Sequence, residues 1–415
     1  MIIRNYKWME EIIYISLYGL ELKMKKIKGI FCHDLPIYKD KNGMYGCTTL
    51  TDDVFKRYLN HVDELVVATR VYHLDCTLED VHQEKITLPN LKFIDIPNLN
   101  KPQYLLTRLH RATKMMEVEF KECDLIFIRG GTIADIGVAL AKKYNKPYFC
   151  ECAGIAFEGL WYYSLLGKLI APFSELHTKK MVRKAAYVAY VTDEYLQKRY
   201  PTKGVAANIS DVVIEKVEDA VLEKRIEKIK SRRPDEPWII GTAAGLMTRL
   251  KGQQFVIEAM SRLGDRYNIR YELAGTGNPE YLLSVAKKFH VEDRVVIKGE
   301  INHNEILSWM DSLDTYIQPS MQEGLPRALM EAMSRACPCI GSTAGGIPEL
   351  LEPDAIFKRG DILQLTNIMS EFYESNWYDH SRYNYSRVKH FRRDILEEKR
   401  KDFIGRYRNY VLNGK

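Results

Sequence analysis

No apolar run in this 415-residue chain reaches the roughly 18 residues that a membrane-spanning helix needs. Met1–Leu22 does not read as a secretory leader, because Trp8, Glu10, Glu11 and Glu21 interrupt its apolar residues and no small-residue cleavage site follows. Cysteine is scarce. Eight are too few for a disulfide framework at this length, and they imply a reducing, cytoplasmic setting. Cys150 with Cys152, and Cys337 with Cys339, form C-x-C pairs on single faces of expected strands. No His or Cys cluster accompanies them, so they read as buried thiols rather than a metal site. A strong charge excess is missing too. The net charge of +6 suits a phosphate-bearing ligand or an anionic membrane surface, but it is too small and too dispersed for nucleic acid.

What is present is a globular composition, 46% hydrophobic and 28% charged, long enough for two domains. Residues 1–23 read as an upstream extension or as an extra helix packed on the first domain. Met24-Lys25-Lys26 leads into the first buried strand. Strand-like runs then alternate with amphipathic segments. In the first half they are Ile27–Cys32, Glu64–Thr69, Phe93–Ile96, Leu125–Arg129, Tyr148–Cys152 and Tyr187–Val191, with helices over Asp52–Leu59, Lys101–Glu119 and Ile133–Tyr144. Gly43 and Gly46 fall in a loop after the first strand, near the sheet edge where such folds bind ligands. A charged helical segment, Glu215–Arg233, leads to a second series. Its strands are Trp238–Thr242, Arg270–Ala274, Val295–Lys298, Thr315–Gln318 and Pro338–Gly341, and a helix spans Gly252–Leu263. This alternation predicts parallel sheets covered on both faces. The tail Tyr378–Val411 reads as helical. It either packs back across the domains or lies on a membrane as a basic amphipathic helix.

The most informative segment is Asp314–Met333. An apolar strand ends at Pro319, Gly324 breaks the chain, and Pro326 fits the first position of a helix whose buried face is Ala328, Leu329, Ala332 and Met333. The N–H groups at Gly324 and Leu325 face out of the helix start, which carries partial positive charge and suits phosphate. Glu323 precedes the helix and Glu331 lies about two turns along it. One carboxylate is placed to reach what lies beside the phosphate, and the other to accept hydrogen bonds from a sugar diol. Gly275-Thr276-Gly277, between a strand and a helix, is a second candidate phosphate loop.

Taken in order, Lys251-Gly252, Ala274-Gly275-Thr276-Gly277, Val296-Ile297-Lys298-Gly299, Pro319-Ser320, Glu323…Glu331 and Gly345-Gly346-Ile347-Pro348-Glu349 resemble the donor half of the family-4 retaining glycosyltransferases. The resemblance implies an α/β GT-B fold, two Rossmann-like, doubly wound parallel-sheet domains facing across a cleft. The acceptor-binding domain would span residues 24–205 and the donor-binding domain 206–375, with helices 376–415 returning to the first domain. It implies sugar transfer from a UDP- or GDP-sugar to a saccharide or lipid-linked acceptor with retained configuration, without metal or other cofactor. Glu331 would then bind the ribose hydroxyls, Glu323 would lie by the donor sugar, Gly324 and Leu325 would face the diphosphate, and Lys251 would neutralise it. Glu349 would meet the base or sugar, or cap the next helix. Gly245 stands where members often carry arginine, with Arg249 as a substitute. Ala153 stands where members often carry an acceptor-side histidine, so Arg129 and Glu151 are the polar candidates there. A sugar-nucleotide epimerase and a degenerate, non-catalytic binding protein are the rival readings. The apolar stretch Trp161–Leu166 with Leu169–Phe173 either packs as a core helix or meets a lipid carrier or membrane, so peripheral contact at the inner membrane face stays open.

Overall fold

Runs such as Leu65-Val66-Val67-Ala68 and Leu125-Ile126-Phe127-Ile128 are apolar at every position, the pattern of strands buried on both faces. The structure is a computed structural model. It describes residues 26–99, 102–162, 165–215, 217–233, 235–374 and 377–414. The expected extension 1–23 lies outside the described residues.

The chain divides into two compact units. The first comprises the described residues through Ile128, Thr132–Tyr148 and the chain end from Ile404; the second comprises Arg129–Gly131 and Phe149–Phe403. In the first unit the strands are β1 (Lys28–His33), β2 (Ile37–Lys39), β3 (Tyr45–Gly46), β4 (Glu64–His73), β5 (Leu91–Ile96) and β6 (Leu125–Arg129). Their order is β3-β2-β4-β1-β6, with β5 against β4. All the pairings of β4 with β1, β2 and β5 are parallel. Strands β2 and β3 run antiparallel, as a hairpin that the sequence reading treated as a loop. Asp40 closes its turn by accepting the N–H groups of Asn42 and Met44, both at 2.9 Å.

The second unit holds β7 (Phe149–Cys152), β8 (Tyr187–Tyr190) and β9 (Val205–Asn208), paired in parallel. It also holds a six-stranded sheet of β10 (Trp238–Ala243), β11 (Ile269–Ala274), β12 (Val295–Gly299), β13 (Thr315–Gln318), β14 (Cys339–Ser342) and β15 (Ile356–Phe357), ordered β12-β11-β10-β13-β14-β15. Every pairing in that sheet is parallel. Strand order changes direction at β10, so the loops after β10 and β13 open together at the carboxyl edge, where ligands bind in such sheets. The eight cysteines are unbridged, and Cys150, Cys152, Cys337 and Cys339 are buried. Burial pushes the Cys152 thiol up to about 12, which keeps it protonated at neutral pH.

The expected tail helix is two helices, Trp377–Val388 and Arg393–Asn413, because Arg392 adopts an extended backbone between them. The last turns belong to the first unit. Tyr407 is fully buried there, and its hydroxyl accepts the Ile126 N–H at 3.0 Å and lies 3.1 Å from the Ile126 and Pro147 carbonyls. Tyr407→Phe would strip those groups of a partner where water cannot replace it. We expect a loss of about 1–3 kcal/mol, read as a lower urea midpoint at unchanged slope. An unchanged midpoint would show that the tail does not anchor this unit.

Candidate active site

The loop 319–326 joins β13 to the helix Arg327–Ser334, whose Leu329, Met330, Ala332 and Met333 are buried. Pro326 is the cap residue rather than the first helical one, and Glu331, four residues past Arg327, sits about one turn along the helix rather than two. Neighbouring segments grip this loop through its backbone. Ser342 Oγ donates to the Ser320 carbonyl at 2.5 Å. The Met321 N–H donates to the Leu250 carbonyl at 2.8 Å, and Arg359 reaches the Met321 carbonyl at 3.0 Å while pairing with buried Glu158 at 2.9 Å. The Gly346 N–H donates to the Gly324 carbonyl at 2.8 Å.

At the centre lies Glu323, whose side chain is 10% exposed. Its Oε1 accepts from Lys251 Nζ at 2.7 Å, Ser320 Oγ at 2.7 Å and Gln318 Nε2 at 3.2 Å. Buried Tyr316 donates its hydroxyl to Gln318 Oε1 at 2.9 Å, which turns the amide so that its N–H side faces Ser320 and Glu323. A buried ion pair loses about 3–5 kcal/mol when one partner is removed. Lys251 is one-third exposed, so solvent screening makes this pair worth less than that.

Two glycines make the approach of these segments possible. Gly252 follows Lys251 at φ +76°, and a Cβ there would overlap the Pro319 carbonyl. Gly345 has φ +56°, and a Cβ there would overlap the Glu323 carbonyl. Any side chain at either position would push Lys251 or the Gly345-Gly346 turn away from the loop.

The other expected donor-side residues are distributed as follows. Leu325 is buried, and Gly324 packs so closely on Ala153 that a Cβ would lie 2.6 Å from its carbonyl oxygen. Gly275 and Gly277 form the turn after β11. Gly275 N–H donates to the Gly299 carbonyl at 2.7 Å, and Leu246 N–H donates to the Thr276 carbonyl at 2.9 Å, which ties this turn to the one after β10. Glu331 is half-buried. Arg249 is exposed and lies over the Tyr281 ring at 4.4 Å.

Matching this arrangement, residues 223–389 fit the family model described as "Glycosyl transferases group 1". Protein CapJ of Staphylococcus aureus is 31% identical over 357 residues, 84% of this chain and 87% of that protein. The chain belongs to the group 1 glycosyltransferases. The putative colanic acid biosynthesis glycosyltransferase WcaL of Escherichia coli is 34% identical over 131 residues, 30% of this chain and 32% of that one. Anabaena HepE, solved in complex with UDP-glucose, has a TM-score of 0.60 at 16% identity, covering 92% of this chain and all of that one. The fold is GT-B, as expected from the sequence.

In this glycosyltransferase Lys251, Glu323, Glu331 and Glu349 all fall inside the family match, whereas Gly43, Gly46, Arg129 and Glu151 fall outside it. Gly43 is exposed in the hairpin turn, and Gly46 is buried in β3 against Leu78 and the Glu84 carbonyl, a packing role. Arg129 bridges Glu151 at 3.1 Å and Asp211 at 2.6 Å. Sequence reasoning missed Asp211, which no motif flags, and the orienting roles of Tyr316, Gln318 and Ser320. A polar Gln318 closing an otherwise apolar strand was the available signal. Also missed was Asp34, directly after β1, which accepts the Thr132 N–H at the start of the helix Thr132–Lys143. Burial raises its carboxyl pKa, opposed by Arg70.

The Glu349 carboxylate reaches a segment far from it in sequence. It accepts the N–H groups of Asp193, Glu194 and Tyr195 at 2.5, 3.0 and 2.5 Å, where the helix Tyr195–Arg199 begins. The carboxylate thus acts as a cap contributed from a distant segment. Glu349→Ala should therefore cost about 1–2 kcal/mol of stability while nucleotide affinity stays within about twofold. A large loss of nucleotide affinity at unchanged melting temperature would reverse this assignment.

Proposed function

We propose that this glycosyltransferase moves a sugar from a nucleoside-diphosphate sugar, a UDP- or GDP-sugar, to a hydroxyl of a saccharide or lipid-linked acceptor with retained anomeric configuration. The names of similar proteins support a place in surface polysaccharide or glycoconjugate assembly, as WcaL is described as a putative colanic acid biosynthesis enzyme. The observation that carries the reading is the Lys251–Glu323 pair at the start of the helix that bears Glu331.

The chemistry follows from charge. As the bond from the anomeric carbon to the diphosphate oxygen breaks, its electron pair stays on the diphosphate. Lys251 and the N–H groups at Gly324 and Leu325 are fixed donors for that growing negative charge, which lowers the barrier because they need no reorganisation. Glu323 faces the positive charge growing on the sugar ring or holds its hydroxyls. The acceptor oxygen then bonds to the anomeric carbon as its hydroxyl proton passes to the departing diphosphate oxygen. Glu331 takes the ribose hydroxyls. This assignment supplies the neutralising charge from the protein, so no divalent metal is called for. The cysteine thiols support a cytoplasmic setting.

The test is thermal stabilisation by UDP, GDP, ADP and their sugar conjugates, in EDTA, on the parent and on Glu331→Ala. A ligand at about 100 times its dissociation constant adds about 2.7 kcal/mol to the native state. One nucleotide should raise the melting temperature in EDTA, and Glu331→Ala should abolish the shift. No shift with any nucleotide would overturn the donor site and favour a degenerate binding protein. A shift that needs a divalent cation would overturn the metal-free assignment.

A further inference from the structure

The helix Leu165–Lys184 has an inner and an outer face of different character. Gly167, Ala171, Glu175, Met181 and Val182 are buried. Leu165 is 82% exposed, Leu169 71% and Phe173 74%, and Leu166, Ile170 and Leu176 are exposed beside them. At 100° per residue these six side chains fill one arc of about 140° over the first three turns. Lys180, Arg183 and Lys184, all exposed, continue the same arc over the last turns. The only acidic residue on the helix, Glu175, points inward, where Tyr200 donates to it at 2.6 Å and Arg199 pairs with it at 3.0 Å. Just before the helix, Trp161 is exposed and stacks on Phe157 with centroids 5.0 Å apart. Tyr163 and Ser164 lie outside the described residues.

A continuous exposed apolar patch of this kind marks an interaction surface. Its charge pattern selects the partner. The outer arc carries cations and no carboxylate, so it complements an anionic surface. A two-fold contact with a second copy would set the basic end of one helix against the apolar end of the other and leave the cations without acidic partners. A helix about 30 Å long, with aliphatic and aromatic side chains over one part of its outer face and lysine and arginine over the rest, matches a segment lying in the plane of a lipid interface. We infer that the helix Leu165–Lys184 docks this glycosyltransferase on anionic lipid bilayers, with Leu165, Leu169 and Phe173 entering the acyl boundary and Lys180, Arg183 and Lys184 meeting the headgroups.

The inference stands on this surface alone and survives any outcome at the donor site. Its test is co-sedimentation of the full chain with phosphatidylglycerol–phosphatidylcholine vesicles and with pure phosphatidylcholine vesicles. The parent should bind the anionic vesicles and release them as salt rises. The double substitution Leu169→Glu, Phe173→Glu should cut partitioning at least about tenfold. Lys180→Glu, Lys184→Glu should weaken binding and flatten its salt dependence. Both variants change exposed positions, so both should keep the parent's melting temperature and its response to nucleotides. Equal binding of parent and Leu169→Glu, Phe173→Glu would overturn the proposal. So would equal binding of the parent to neutral vesicles, or a concentration-dependent dimer of the parent that this variant abolishes.

Discussion

The account rests on one carboxylate oxygen. Glu323 Oε1 receives an ammonium, a hydroxyl and an amide from three different places in the chain. A carboxylate this enclosed is tolerable only when such donors replace its lost water. The requirement propagates outward. Gln318 is oriented by Tyr316 from within β13, Ser320 sits in the loop, and Lys251 comes from the turn before the helix Gln253–Leu263. The six-stranded parallel sheet sets β10 beside β13, and so brings these two loops together.

Backbone contacts then hold the arrangement. The loop 319–326 gives carbonyls to Ser342, Arg359 and Gly346 and an N–H to Leu250. Fixed positions matter because transition-state stabilisation depends on donors already aimed at developing charge. Gly252 and Gly345 are glycines because main chain of the loop occupies the space a side chain would take. The Gly345-Gly346-Ile347-Pro348-Glu349 motif thus has two structural duties. Its glycines brace the Glu323 loop, and its glutamate caps the helix Tyr195–Arg199.

Much of this was legible in the sequence because parallel strands buried on both faces leave unbroken apolar runs. Glu64–Thr69, Leu125–Arg129 and Thr315–Gln318 lie within or coincide with observed strands. The shortest elements were not legible. Strands β2, β3, β9 and β15 have two to four residues each and exist through their neighbours rather than through any pattern of their own. In the site, Glu323 and Lys251 were readable from motif spacing, yet their pairing across 72 positions was not. Nor was the reach of Glu349 to Asp193, Glu194 and Tyr195, because a cap supplied from a distant segment leaves no local signature. Nor was the placement of Arg249, read as a substitute for the arginine that members often carry at the position of Gly245, over the Tyr281 ring.

The central claim is that Lys251 and Glu323 act as one unit on the transferring sugar. A double-mutant cycle of Lys251→Met and Glu323→Gln on kcat/KM, run with the donor that thermal stabilisation identifies, tests it most directly. The account predicts that each single change costs at least about a hundredfold, or about 2.7 kcal/mol of transition-state stabilisation. The double change should cost far less than the product of the two, because groups in contact do not contribute additively. Strictly multiplicative losses, or a single change with no effect on kcat/KM, would contradict it.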